Sequence, residues 1–68
     1  MTVELNGRPV ELEEGAAVSD AVSRSGAGGE TRGVAVAVDG EVVPRAAWEQ
    51  TRLAEGQRVE VVRAIQGG

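Results

Sequence analysis

Alternation of apolar and polar residues dominates the start of the chain, in the runs TVEL and PVELE. A period of two is typical of strands that bury one face. The dipeptide Asn6-Gly7 separates the two runs, and a type I′ turn needs positive φ at both central positions, which Asn and Gly tolerate best. Residues 2–13 are therefore predicted to form a β-hairpin.

The next segment changes to helical spacing. Val18, Ala21 and Val22 recur at intervals that place them on one helix face, and Gly26 is a typical helix stop. This pattern predicts a short helix near residues 17–25, followed by a flexible connector over residues 26–33.

The second half of the chain repeats the strand–turn–strand pattern. VAVAV (34–38), the turn dipeptide Asp39-Gly40 and EVV (41–43) predict a second hairpin. Pro44 ends the returning strand because proline cannot donate to a ladder, and it is well placed to begin a helical turn in PRAAWEQ. After a turn at AEG, RVEVVRAI (58–65) is the longest predicted strand.

This order of elements predicts an α+β fold: a mixed sheet of about five strands with one helix packed across one face. If the first and last strands lie side by side in the middle, the arrangement is the ubiquitin-like β-grasp, although periodicity alone does not separate it from other small α+β folds. We predict one domain over residues 1–65 and a flexible tail at 66–68. The predicted core is Val3, Leu5, Val10, Leu12, Val18, Val22, Val36, Val38, Val42, Trp48, Leu53, Val59 and Val61.

Composition narrows the class of protein. The 68 residues suit one domain, and they include neither cysteine nor histidine. Every basic residue is arginine, and the net charge of −4 argues against binding to a phosphate backbone. The longest apolar run, residues 34–38, is far too short to span a membrane, and the N-terminus does not resemble a signal peptide. We expect a cytoplasmic protein without nucleic-acid or membrane partners.

Candidate catalytic groups are better explained as surface residues. The adjacent Glu13 and Glu14 point to opposite sides of an extended chain, whereas acid–base catalysis needs carboxylates held in different environments at one site. Ser19, Ser23 and Ser25 have no histidine or lysine to act as a base. GAGGE lacks the Gly-Lys-Ser/Thr ending of a phosphate loop, and the dispersed carboxylates do not suggest a metal site. We therefore predict that the chain is not an enzyme.

The final residues, Gly67 and Gly68, cannot contribute to a core, because neither has a side chain. A Gly-Gly end is slender enough to enter a narrow channel, and its reactive group is the α-carboxylate of Gly68. Such a carboxylate is inert until a partner enzyme activates it with ATP, after which sulfur or an amine displaces AMP. A frayed terminus is the ordinary alternative.

Three stretches resemble the ThiS family of sulfur carrier proteins over nearly the whole chain. They are VAVDGEVVPRAAW, with VPR followed by Trp48, then LAEGQRVEVVRAI and the final GG. The resemblance implies that a ubiquitin-activating-like adenylyltransferase adenylates Gly68 using ATP and magnesium. Sulfur that comes from cysteine, indirectly through a cysteine desulfurase, then forms a thiocarboxylate for thiazole synthase to use in thiamine biosynthesis. Gly67 is the slender neck, and the chain itself binds no cofactor or metal.

Other functions remain open. The small subunit of molybdopterin synthase has the same fold and Gly-Gly end, but that family lacks the VPR stretch with its tryptophan. A sulfur carrier for another sulfur-containing metabolite would use the same chemistry, and a plain binding module would have an accidental Gly-Gly end. Without cysteine the chain cannot hold sulfur as its own persulfide, and without lysine it cannot form lysine-linked chains.

A docking surface is expected on the sheet face away from the helix. Alternation places the small or apolar residues of the two longest strands outward, as a flat patch that leads toward the tail, and exposed apolar patches often mark partner sites. Ordinary exposed strand residues are the alternative. The residues predicted for this surface are Ala35, Ala37, Val62 and Ala64, with Arg63 or Arg45 steering the activating enzyme.

Overall fold

The computed structural model describes residues 1–27 and 33–63. Its first element is the predicted hairpin, with β1 at Thr2–Leu5 and β2 at Arg8–Glu11. The turn residues Asn6 and Gly7 have φ of 51° and 84°, as a type I′ turn requires. The hairpin is confirmed, although β2 ends two residues earlier than the alternation indicated.

The predicted helix is present and ends in a wide turn. Helix α1 covers Val18–Val22, and a π-helical turn continues over Ser23–Ala27. The carboxylate of Asp20 accepts the Ala17 N–H at 2.8 Å, which satisfies a donor at the start of the helix. Gly26, with φ of 92°, ends the helical backbone as expected. Most of the predicted connector lies outside the described residues.

The second hairpin is also confirmed. It pairs β3 (Val34–Val38) with β4 (Glu41–Val43) across the turn Asp39-Gly40, whose φ angles are 51° and 87°. Pro44 follows β4 and precedes a 3₁₀ turn at Arg45–Ala47. The last strand, β5, covers Arg58–Arg63, and the remaining predicted strand residues lie outside the described part of the chain.

The five strands form one sheet in the order β2-β1-β5-β3-β4. Strand β5 runs parallel to β1 and antiparallel to β3, so the first and last strands lie side by side in the middle. This is the β-grasp topology expected from the sequence. Both edge strands are short: β2 contains Pro9, and β4 is followed by Pro44.

The core fills the space between α1 and one face of the sheet. The buried valines Val3, Val36 and Val59 pack there with Val18 of the helix. Trp48 closes the core and is 5% exposed, and its indole N–H donates to the Val43 carbonyl at 3.0 Å. Its prediction as a core residue is confirmed.

Several core assignments need correction. Val42 is 74% exposed, so its prediction as a core residue is wrong. Val10 and Val38 are only partly buried, at the margin of the core. The sequence interpretation also omitted three buried alanines that lie at or near the helix, Ala16, Ala17 and Ala21.

Among the residues described, no helix has the length and apolar character needed to cross a membrane.

Candidate functional site

Gly68, the functional residue predicted from the sequence, comes after β5 in the chain. That strand is central, and the chain continues from Arg63 toward Gly68. Ala64, Gly67 and Gly68 lie outside the described residues, so their roles remain predictions. The described structure therefore bears on two other features: how the end of β5 is held, and what surface lies beside it.

Side chains from the two hairpin turns hold opposite ends of β5. Near its end, Asn6 makes two hydrogen bonds to the backbone of Val61: Oδ1 accepts the N–H at 2.8 Å, and Nδ2 donates to the carbonyl at 3.2 Å. At its start, the Asp39 carboxylate accepts the Arg58 N–H at 3.0 Å and an amide hydrogen of Gln57 at 3.3 Å. The sequence interpretation treated both residues only as turn formers and missed these contacts.

The sheet face opposite α1 carries apolar residues beside the end of β5. Ala35 pairs with Val62, and Ala37 lies between Val42 and Glu60 in the next row of the sheet. Val62 is 60% exposed, which confirms that it points outward as expected from the alternation of β5. We call Ala35, Ala37, Val42 and Val62 the open-face patch.

Val42 joins this patch because of the register of the second hairpin. The two-residue turn pairs Val38 with Glu41, so the next position of β4 pairs with Ala37 and shares its outward direction. Turn geometry fixes hairpin register, and the Asp39-Gly40 signal was present in the sequence. The signal that would have placed Val42 correctly was therefore available.

The predicted steering arginines lie away from the open-face patch. Arg63 has the same strand parity as the buried Val61, and it lines a shallow depression with Ser25. Arg45 lines a surface cleft with Ser19 of α1, on the helix side of the sheet. The structure thus separates these two arginines from the face that they were expected to serve.

The charged groups on the open face itself are mainly acidic. Glu60 is exposed in the row that contains Ala37 and Val42. On the other half of the face, Glu4 and Arg58 form an exposed ion pair with an N–O distance of 3.8 Å. The patch is therefore bordered by a carboxylate, and the nearest basic group on that face is already paired with an acid.

The described residues provide little for catalysis. Within 1–27 and 33–63, no group of three or more Asp, Glu, His or Cys side chains is placed to hold a metal ion. The Ser25 hydroxyl donates to the Val22 carbonyl at 2.6 Å, the geometry of a helix-end contact. What the fold presents is a central strand that leads to a Gly-Gly end, with an apolar surface beside that strand.

These features define a small β-grasp protein, and comparison with known proteins shows its family. The model of the ThiS family matches residues 3–68, so the chain belongs to the ThiS family. By family, it is a small sulfur carrier protein and not an enzyme.

Solved structures agree with this assignment. A crystal structure of the thiamine biosynthesis protein ThiS from Geobacter metallireducens is 28% identical, with a TM-score of 0.80 and full coverage of both chains. A solution NMR structure of a thiamine biosynthesis protein from the same organism is 30% identical, with a TM-score of 0.78; it covers all of this chain and 88% of that one. No curated protein sequence matches the chain significantly.

Proposed function

We propose that the chain carries sulfur as a thiocarboxylate on Gly68 and donates it for thiazole formation in thiamine biosynthesis. The observation that carries the proposal is the family match, which extends through the final Gly67-Gly68. Both similar structures from Geobacter metallireducens are described as structures of a thiamine biosynthesis protein, which supports the same pathway here.

The chemistry has two steps. An adenylyltransferase related to ubiquitin-activating enzymes joins the Gly68 carboxylate to the α-phosphate of ATP, in the presence of magnesium, and releases pyrophosphate. A sulfur nucleophile then attacks the acyl carbon and expels AMP, which leaves the thiocarboxylate. ATP and magnesium belong to the activating enzyme. Gly67 has no Cβ and offers the least resistance to a narrow active-site channel.

The amino-acid composition limits where the chain can hold a transferred sulfur atom. The chain has no cysteine, so a sulfur atom that it carries has to reside on the terminal acyl group. Cysteine is the expected origin of that sulfur, through a desulfurase that acts before the carrier. Thiazole synthase is the proposed acceptor.

We further propose that the open-face patch docks the activating enzyme. Val42 and Val62 are the exposed large hydrophobic residues of the described chain, and both lie on this face. Glu60 lies on β5 two positions before Val62 and pairs with Ala37, so the charged group that borders the patch is a carboxylate rather than one of the arginines that the sequence suggested for steering. A partner that covers this patch is expected to present apolar side chains with a basic residue opposite Glu60.

The experiment that tests the carrier function is measurement of intact mass. After incubation with the activating enzyme, ATP, magnesium and a sulfur source, the chain is expected to gain the mass difference of sulfur for oxygen, and fragmentation is expected to place it on Gly68. Matched controls are a chain without Gly68 and a chain with one extra residue after it. Sulfur gain in the extended variant at an internal position would contradict the proposal.

The acceptor is tested separately. Purification from a native source is expected to recover thiazole synthase with the chain. Stable association with a large molybdopterin synthase subunit, or with an enzyme that makes another sulfur-containing metabolite, would retain the carrier chemistry and change the pathway.

A further inference from the structure

The side chain of Asn6 extends the pairing between β1 and β5 beyond the end of β1. The β1 backbone follows β5 only as far as Val59, whose carbonyl accepts the Asn6 N–H at 2.9 Å. The chain then turns away at Gly7, and the Asn6 amide group bonds to both backbone groups of Val61 on the same side of β5. A side chain thus takes the place of one more residue of backbone ladder.

We propose that Asn6 is a positioning residue for the chemistry at Gly68, an inference that rests on the proposed function. With Asn6 in place, this end of β5 is held on both sides: the amide group bonds to the Val61 backbone, and β3 pairs with β5 as far as Arg63 on the other side. Without it, β3 alone holds this end of the strand. A strand end that is fixed on both sides limits the positions from which the tail starts, and a narrower range of starting positions favours those in which Gly68 reaches the activating site.

The choice of asparagine follows from hydrogen-bond chemistry. Val61 presents an N–H and a carbonyl, and a primary amide supplies the matching acceptor and donor together. Asn6 also has φ of 51°, a region in which asparagine is several-fold enriched among residues other than glycine. Aspartate tolerates the same φ but, when ionised, only accepts hydrogen bonds.

The second hairpin supplies a matched control. Asp39 occupies the equivalent turn position with the same φ of 51°, and its side chain likewise bonds to β5. Its contacts lie at Arg58 and Gln57, at the opposite end of the strand from the C-terminus. Loss of the Asp39 side chain therefore weakens a turn and a β5 contact of the same kind without releasing the end near Gly68.

The experiment compares Asn6→Gly with Asp39→Gly, since glycine keeps the positive φ in both turns. Adenylation is followed by pyrophosphate release with the activating enzyme, ATP and magnesium, and exchange of the Val61 amide hydrogen is measured on the carrier alone. In Asn6→Gly, kcat is expected to fall about tenfold, the equilibrium factor for losing one or two such hydrogen bonds, while KM stays within about twofold. The Val61 amide is expected to exchange faster.

Asp39→Gly is expected to lose similar stability and to keep kcat within about twofold of the wild-type value, because its contact lies far from the reacting end. Asn6→Asp retains the acceptor for the Val61 N–H and is expected to fall between wild type and Asn6→Gly.

Two results would overturn the inference. One is a wild-type kcat in Asn6→Gly together with faster exchange at Val61, since the strand end would then be released without any effect on the chemistry. The other is an equal fall in kcat in Asp39→Gly, which would indicate general destabilisation. A wild-type chain that forms no adenylate overturns the proposed function and this inference together.

Discussion

Valine is buried on one face of the sheet and exposed on the other. Val59 is fully buried beneath α1, whereas Val62, three positions later in the same strand, is 60% exposed. Val36 and Val42 differ in the same way across the second hairpin. Burial of a valine on the helix face stabilises the fold, but an exposed valine on the open face contributes almost nothing to the monomer. The exposed valines of the open face therefore add little to stability, which is compatible with the docking surface that we propose there.

The largest difference is expected in the free energy of unfolding, when a valine on each face of β5 is replaced by alanine. Val59→Ala removes two methyl groups from a packed core and is expected to lower the free energy of unfolding by about 2–3 kcal/mol. Val62→Ala is its matched control and is expected to stay within about 0.5 kcal/mol of wild type. Urea unfolding, monitored by Trp48 fluorescence, measures both. Similar losses in the two variants would contradict the assignment of the faces.

The next prediction concerns binding of the activating enzyme, for which the open face is expected to matter more than the buried face. Val62→Asp is expected to raise KM for the activating enzyme about tenfold or more, because a carboxylate would be placed in an apolar contact, with little change in unfolding. Ala54→Asp adds the same charge in the exposed loop before β5 and is expected to leave KM unchanged. If Val62→Asp keeps both its fold and its KM, docking takes place on another surface.

A substitution in the tail, outside both faces of the sheet, distinguishes an effect on the adenylation step from an effect on binding of the activating enzyme. Gly67→Val adds a β-branched side chain that restricts φ and ψ, and it is expected to lower kcat for adenylation by about tenfold or more. KM and the melting temperature are expected to change little. Gly56→Ala is a control for loss of a glycine elsewhere: because Gly56 has φ of 83°, alanine there is expected to lower the melting temperature and to leave kcat for adenylation unchanged. Normal adenylation by Gly67→Val would show that the neck does not enter a narrow channel.

The smallest change in stability and in KM is expected from a substitution in the polar half of the open face. Glu4→Gln breaks the exposed ion pair with Arg58 and is expected to change stability by less than about 0.5 kcal/mol. Its KM for the activating enzyme is expected to equal that of wild type, because Glu4 lies outside the open-face patch. A marked rise in KM would extend the docking surface across the whole face.

Much of this fold was predictable because its turns are chemically distinctive. Asn6-Gly7 and Asp39-Gly40 permit the positive φ of tight hairpins, and the alternation in β5 fixed the directions of Val59 and Val62. These signals are local, so they can be detected without the tertiary structure. They predicted both hairpins and the order of the elements along the chain, but not by themselves the place of β5 beside β1 in the sheet.

The errors arose where local pattern is ambiguous or the contact is distant. EVV contains adjacent valines, so alternation does not decide which one is buried, and only the hairpin register places Val42 outward. The bonds between Asn6 and Val61 join residues at opposite ends of the sequence. Arg45 and Arg63 were expected to steer the partner without regard to the face on which each lies, although alternation in β5 gives Arg63 the same direction as Val61.

The two prolines, one within edge strand β2 and one directly after edge strand β4, have a consequence for behaviour at high concentration. An exposed strand edge can recruit another chain through backbone hydrogen bonds and so begin aggregation. Pro9 lacks an N–H to offer to an incoming strand, and Pro44 stops β4 after three residues. We therefore expect self-association of this chain to occur by weak, reversible contact between open faces rather than by growth of a continuous sheet. The open-face patch can then bind a partner without promoting fibril formation.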